Sequence, residues 1–256
     1  MGRRGSVILA GALLCLAATA SWADLAPYTQ DFEGLDQGNP GALAGDGWLV
    51  FANVFSPDGT VYYYGYGPFP APNGGAGFSG IDIGQGGPAQ GDQQLVTYSD
   101  YNNGDHANGF LIEANVFQEQ IIGAADVGST WLFEFDAKRG NIAPDTTAMA
   151  FIKTLDPNAG YALTRFFTVD TTDLPDTWDS FSLSIFIDPD LVGQILQIGF
   201  LNTTTFYTPS GVFYDNINFD LAPLNVNIDI KPGSDPNSIN PFARELTPVA
   251  ILGSAV

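Results

Sequence analysis

The clearest apolar patterns beyond the first 23 residues of this chain have a period of two, and they are short. Over residues 130–138, Trp131, Phe133, Phe135 and Ala137 alternate with Glu134, Asp136 and Lys138. Over 180–187, Phe181, Leu183, Ile185 and Ile187 alternate with Ser180, Ser182 and Ser184. Such alternation gives a strand one apolar face and gives a helix no apolar stripe at all. Thirty glycines and 17 prolines cut these runs before they lengthen, a pattern that reads as an all-β fold of two packed antiparallel sheets. Further strands are expected near 28–33, 48–54, 94–99, 110–117, 148–155, 163–169, 196–202 and 212–221, about ten in all. The segments 65–91, dominated by Gly, Pro and Ala, and 100–109, polar throughout, are expected to be long loops.

The first 23 residues read as a secretory signal peptide: Arg3 and Arg4, an apolar stretch from Val7 to Ala20, and a small-x-small cleavage site at Ser21-Trp22-Ala23. That stretch falls short of the ~20 residues of a membrane span. The single cysteine, Cys15, lies inside it, so the remaining chain has no thiol chemistry. Export removes two arginines and no acid, leaving six bases against 28 acids. A chain so acidic is repelled by nucleic acid and by anionic membrane surfaces, while calcium and neutral glycans suit it. Disorder is excluded by 45% hydrophobic content with 19 Phe and 10 Tyr. The expected location is secreted or extracellular, the cell surface and periplasm included.

Enzymatic readings find little support. One histidine, His106, sits in a Gly/Asn-rich loop and reads as a polar surface residue, and no Gly-x-Ser-x-Gly elbow supplies a nucleophile. Zinc is excluded by one His and no Cys beyond the signal. Phe133-Glu134-Phe135-Asp136 faintly resembles the acid-bearing strand of jelly-roll glucanases, but Lys138 and Arg139 stand where the third acid belongs. The expectation is no catalytic residue, with a jelly-roll glycoside hydrolase as a remote alternative.

Asp215 is the most informative acid. In strand register it shares a face with Phe213, Ile217 and Phe219, where a carboxylate is costly unless paired or metal-bound. With six bases in the exported chain, a hard cation such as calcium is the cheaper partner. The other reading is that Asp215-Asn216 merely shapes a strand end and Glu33 is solvated. Asp31-Phe32-Glu33-Gly34, Gly47-Trp48, Trp178, the run 193–200 and Tyr214-Asp215-Asn216-Ile217 together resemble the galactose-binding-like jelly-roll family of carbohydrate-binding modules, over about residues 27–221. The resemblance implies a jelly-roll β-sandwich whose first and last strands are neighbours. It also implies a structural Ca2+ held by Glu33 and Asp215, with Asp31 as a third candidate ligand.

A glycan needs ring faces beside amide and carboxylate groups. Tyr62, Tyr64 and Tyr66 next to the first long loop, and Tyr101, Asn102 and Asn103 in the second, are the expected ligand-binding residues. Equally, Tyr62 and Tyr64 on one strand face, with Tyr63 packed below, are ordinary sheet residues. The resulting organisation is a signal over 1–23, a sandwich over 24–221 and, over 225–256, a short C-terminal β appendage. The string from Asn227 to Pro241 with Thr247 to Gly253 resembles the opening of a small β module from secreted bacterial proteins, here incomplete. Two functions stay open: a non-catalytic module for a neutral polysaccharide or cell-surface glycan, and a structural or adhesive surface protein without a small ligand.

Overall fold

The computed structural model describes residues 24–101, 104–223, 227–230 and 249–252. Two six-stranded antiparallel sheets face each other across one core: the two packed sheets expected from the alternation, in the jelly-roll β-sandwich that the resemblance implies. The strands are β1 (Tyr28–Gln30), β2 (Leu49–Phe55), β3 (Tyr62–Pro70), β4 (Ser79–Ile83), β5 (Gln93–Thr97), β6 (Leu111–Ile121), β7 (Thr130–Ile142), β8 (Thr147–Asp156), β9 (Ala162–Asp170), β10 (Asp179–Phe186), β11 (Ile195–Thr204) and β12 (Ser210–Leu221). Sheet A runs β10-β7-β12-β5-β4, with β1 also paired to β12; sheet B runs β3-β2-β6-β11-β8-β9. A separate antiparallel pair joins β13 (Asn227–Ile230) to β14 (Val249–Leu252). Among the described residues no helix is long and apolar enough to cross a membrane.

One buried cluster reaches from Leu25 to Phe219. Its centre is aromatic: Phe200 stacks on Tyr214 with ring centroids 3.6 Å apart and lies 5.4 Å from Phe135. The Tyr214 hydroxyl shares a 2.7 Å hydrogen bond with Thr171 Oγ1, which satisfies the one polar atom that ring brings inside. Trp131, Phe133, Phe135 and Ala137 all face this core, as the alternation requires.

Two segments expected to be loops contain regular secondary structure. Residues 65–91 contain the end of β3 and all of β4. The prolines that argued against a strand are tolerated because β3 is the edge of sheet B and has no outer ladder to complete. Within 100–109 a short helical turn, α1 (Gly104–Ala107), holds His106 fully buried rather than on the surface.

Strand β12 corrects the expected register of Asp215. Val212 and Tyr214 face the core, and so do Ile217 and Phe219, which alternation alone cannot arrange. A bulge between Asp215 and Asn218 against β7, with Asn216 at φ +48°, absorbs the extra residue. Asp215 therefore does not share the face of Ile217 and Phe219, yet it is fully buried at the bulge.

Candidate functional site

Sheet B is apolar on both faces. Beneath its core side, the opposite face carries a second buried cluster of Phe117, Phe151 and Leu201, flanked by Leu49, Phe51 and Met149. Glycine makes this floor possible. Gly199 stands between Phe117 and Phe151 in the cross-strand row, where an added Cβ would lie 2.2 Å from the Val116 carbonyl oxygen. At the sheet edge, Gly65 leaves room for the Phe51 ring, whose Cζ would otherwise lie 2.6 Å from a Cβ.

Above the floor lies a groove of about 730 Å3. Its walls are aromatic: Phe51 and Tyr62 on one side, Phe166 and Tyr161 on the other. Tyr161 is 63% exposed and held at φ +62°, a left-handed conformation that costs a non-glycine residue energy and clusters at functional positions. The polar groups of the floor form two chains. Asn53 Nδ2 and Asn115 Nδ2 both donate to Glu113 Oε1, at 2.9 and 3.1 Å, and Lys153 Nζ donates to Asn115 Oδ1 at 3.0 Å. Farther along, Gln197 Nε2 donates to Glu119 Oε2 at 2.9 Å, while Gln197 Oε1 is buried without a partner.

Lys153 lies over both floor rings, its Nζ 4.5 Å from the Phe151 centroid and 5.6 Å from that of Phe117. Burial pushes its amine down to about 8, against the opposing pull of the Glu113 and Glu119 carboxylates.

The expected tyrosines divide between two places. A register shift between Val54 and Phe55 inserts Tyr63 as an extra residue, so Tyr62 pairs with Phe55 and turns into the groove while Tyr64 pairs with Val54 on the opposite face. They do not share a face, and Tyr63 is not packed below: it rests on Phe110 and is 47% exposed. Tyr64 and Tyr66 join the second loop instead, donating to Asp105 Oδ2 and, at 2.7 Å, to Asp100 Oδ2. Tyr101 stacks on Tyr98 and exchanges hydrogen bonds with Ser210, accepting from its N–H at 2.7 Å. Asn102 and Asn103 lie outside the described residues. In the same cluster His106 Nδ1 accepts from the Tyr207 N–H, so the ring proton sits on Nε2, 3.3 Å from Ser99 Oγ. Ser99 Oγ gives its own proton to the Ile112 carbonyl, so the imidazole does not activate it as a nucleophile.

The calcium candidates lie around a break in sheet A. Strand β5 pairs with β12 over Val212–Tyr214 and β1 pairs with it over Ile217–Phe219, leaving Asp215 and Asn216 at the junction. Phe32, at φ +60°, turns its ring into the core and sends Glu33 across to β5, where Glu33 Oε1 accepts from the Asp92 and Gln93 N–H groups at 2.7 and 2.6 Å. Asp31 Oδ1 caps the Glu33 N–H at 3.2 Å. Asp136 is fully engaged with Gln90, Asn216 and Ser180. Asp215 Oδ1 accepts from the Asn216 N–H, but Oδ2 is buried with no partner. Burial, then the charges of Asp136, Glu33 and Asp31, push the Asp215 carboxyl up to about 7. Among the described residues no three such side chains gather closely enough to hold a metal by themselves. A cation here would take Asp215 together with main-chain carbonyls, and the orphaned Oδ2 fits that role.

Alternation alone did not reveal the groove. Its polar residues Glu113, Asn115 and Glu119 occupy the outward positions of β6, which reads as an ordinary solvent face. The available signal was Phe117 among them, an aromatic in the polar register.

No family model matches this chain, and no curated protein does. Solved structures similar to it include the enzymatically active domain of bacteriophage CBA120 tailspike protein 4, at 12% identity and TM-score 0.43 over 73% of this chain. The match covers only 21% of the tailspike chain. The CBM22-2 xylan-binding domain of Paenibacillus barcinonensis Xyn10C matches at 13% identity and TM-score 0.40, over 76% of this chain and 99% of that one. The Stig cyclase Fisc of Fischerella sp. TAU matches at 14% identity and TM-score 0.39, over 77% and 90%. At such scores the likenesses bear on neither ligand nor activity.

Proposed function

We propose that this is a secreted carbohydrate-binding β-sandwich module that takes a neutral glycan along the groove of sheet B, with a structural calcium at the β1–β12 junction. The observation that carries it is the groove itself: aromatic walls enclosing a floor of amide, carboxylate and amine groups, the combination that sugar rings and hydroxyls require.

Binding is favoured over glycoside hydrolysis by the placing of the carboxylates. Glu113 and Glu119 are six residues apart on one strand, about 20 Å at 3.3 Å per residue. Catalytic carboxylate pairs stand ~5–9.5 Å apart. Each is also turned to its own amide partner. Glu134 and Asp136 belong to the other sheet, bonded to Asn218 and to the junction residues.

The test is calorimetric titration of the full chain, with and without calcium, against neutral hexasaccharides: cellohexaose, xylohexaose, mannohexaose and laminarihexaose. At least one is expected to bind, and Phe166→Ala to weaken it about fivefold, the loss of ~1 kcal/mol of ring contact. Absence of binding to every neutral glycan would favour the structural or adhesive reading. Binding indifferent to both Phe166→Ala and Asn115→Ala would move the site elsewhere.

A further inference from the structure

We propose that Lys153 determines which ligand the groove accepts: its ammonium donates to an oxygen of an uncharged sugar. The inference rests on the reading of the groove as a glycan site and assigns within it a residue whose charge state is coupled to occupancy.

The geometry is specific. Lys153 projects from β8 toward the middle of the floor, with Phe151 on its own strand and Phe117 on β6 beneath its Nζ. Gly199, the residue between those two rings, has no side chain to obstruct it. Of the three ammonium protons, one is used by Asn115 Oδ1; among the described residues Nζ makes no other hydrogen bond, and the Phe151 and Phe117 rings lie beneath it. A ring face attracts the cation but does not replace a lone pair, so a ligand oxygen arriving above the floor completes the shell.

The charges facing Lys153 decide what kind of oxygen this is. From β6 come the carboxylates Glu113 and Glu119, and from the rims the phenols Tyr62 and Tyr161. Strands β2, β9 and β11 present neutral Asn53, Phe166 and Gln197. One positive charge therefore stands among two negative ones. A uronate or sulfate set on Lys153 would be repelled by both carboxylates, whereas a hydroxyl or ring oxygen meets only the donor.

Proton linkage follows. In the free protein the Lys153 amine, lowered to about 8 by burial, is partly deprotonated in that range. An acceptor oxygen favours the ammonium form, raises its pKa, and draws in a proton. Near pH 6 the amine is already charged, and binding leaves the proton balance unchanged.

The experiment is titration of the tightest-binding neutral hexasaccharide at pH 6.0 and 8.5, each in two buffers of different ionisation enthalpy, with hexagalacturonate in parallel. The expected result is uptake of roughly half a proton at pH 8.5 and none at pH 6.0, and weakening of several-fold between pH 7 and 9.5. Lys153→Arg keeps the cation without its titration and is expected to bind with no proton uptake. Lys153→Met fills the space over the rings and is expected to lose most of the affinity. Binding in the groove with no proton uptake, or with the parent's pH profile preserved in Lys153→Arg, overturns the proposal and leaves the groove reading standing. Preference for hexagalacturonate over every neutral probe also overturns it. If no saccharide binds, the proposal and the groove reading fall together.

Discussion

The strand junction of sheet A and the floor of sheet B each bury one ionisable group, and the two are handled in opposite ways. Asp215 is surrounded by its own kind: Asp136, Glu33 and Asp31 add repulsion to the cost of burial, and both effects drive its carboxyl upward. Lys153 is surrounded by opposites: Glu113 and Glu119 offset part of the cost and keep its shift smaller than burial alone would make it. One oxygen of Asp215 has no partner, whereas the Lys153 amine has an amide and two rings. A region that repels its own charge calls for a counter-charge from outside, whereas a region that supplies its own counter-charges has its charge offset in protein and only donors left to satisfy. On the reading proposed above, the first would serve a cation and the second a neutral ligand.

The largest effect is expected at the junction. Because the folded carboxyl of Asp215 lies near 7 against an unfolded value of 3.8, the native state holds a proton that the unfolded chain has released. Without calcium, this group's contribution to stability should therefore fall as pH rises from about 4 to 7, by on the order of 3 kcal/mol. Calcium at a hundredfold excess over its Kd should restore about 2.7 kcal/mol at pH 7.5. Asp215→Asn removes the repelled charge, so the variant should melt higher than the parent in EDTA and show no response to calcium. Thermal melts at pH 5 and 7.5, with calcium and with EDTA, check all of this. A parent whose melting temperature ignores EDTA would break the comparison, leaving two buried groups without a functional difference.

The floor should respond with the opposite slope and less strongly. Lys153 is lowered on folding, so the unfolded chain binds more protons than the native one between pH 8 and 10.5. Its contribution to stability should rise across that window, by about 1 kcal/mol once its partial exposure is allowed for. Chemical denaturation at pH 8 and 10, parent against Lys153→Met, isolates the slope; it should be present in the parent and absent in the variant. Equal slopes would mean that Glu113 and Glu119 neutralise Lys153 completely.

What the sequence disclosed follows from what a period of two can express. It distinguishes the faces of β7 and β10 without ambiguity, since Trp131 to Ala137 and Phe181 to Ile187 alternate cleanly. It is blind to a register change. The misread strand positions, Asp215 on β12 and Tyr62 to Tyr64 on β3, each lie at a bulge, where one inserted residue exchanges the faces. That Asp215 is buried came through even so, because the bulge places it inside by a different route. The groove was hidden for another reason: a sheet with an apolar stripe on both faces gives its outer face no signature beyond an aromatic such as Phe117 out of register. His106 was misread because a polar loop does not disclose that one of its turns packs against Tyr207.

The smallest effect is expected where charge is exposed, and it sharpens the comparison by supplying its limit. Tyr64 donates to the Asp105 carboxylate, and that hydrogen bond, more than burial, pushes the phenol up to about 12. The pairing resembles those at the two buried sites in chemistry but differs in solvent: Tyr64 is 45% exposed. Water replaces whatever the partner supplied, so Tyr64→Phe should change stability by no more than about 0.5 kcal/mol. The sign is fixed by the raised phenol. Any stabilisation is present below pH 10 and is lost as pH climbs toward 12, so the parent and variant should converge at the alkaline end. Since the ring and not the hydroxyl would stack on a sugar, and since Tyr64 faces away from the groove, glycan titrations should also be unchanged. A loss of binding in Tyr64→Phe would place the ligand at the loop end with Tyr66 and Tyr101, and the floor of sheet B would then be a structural surface only.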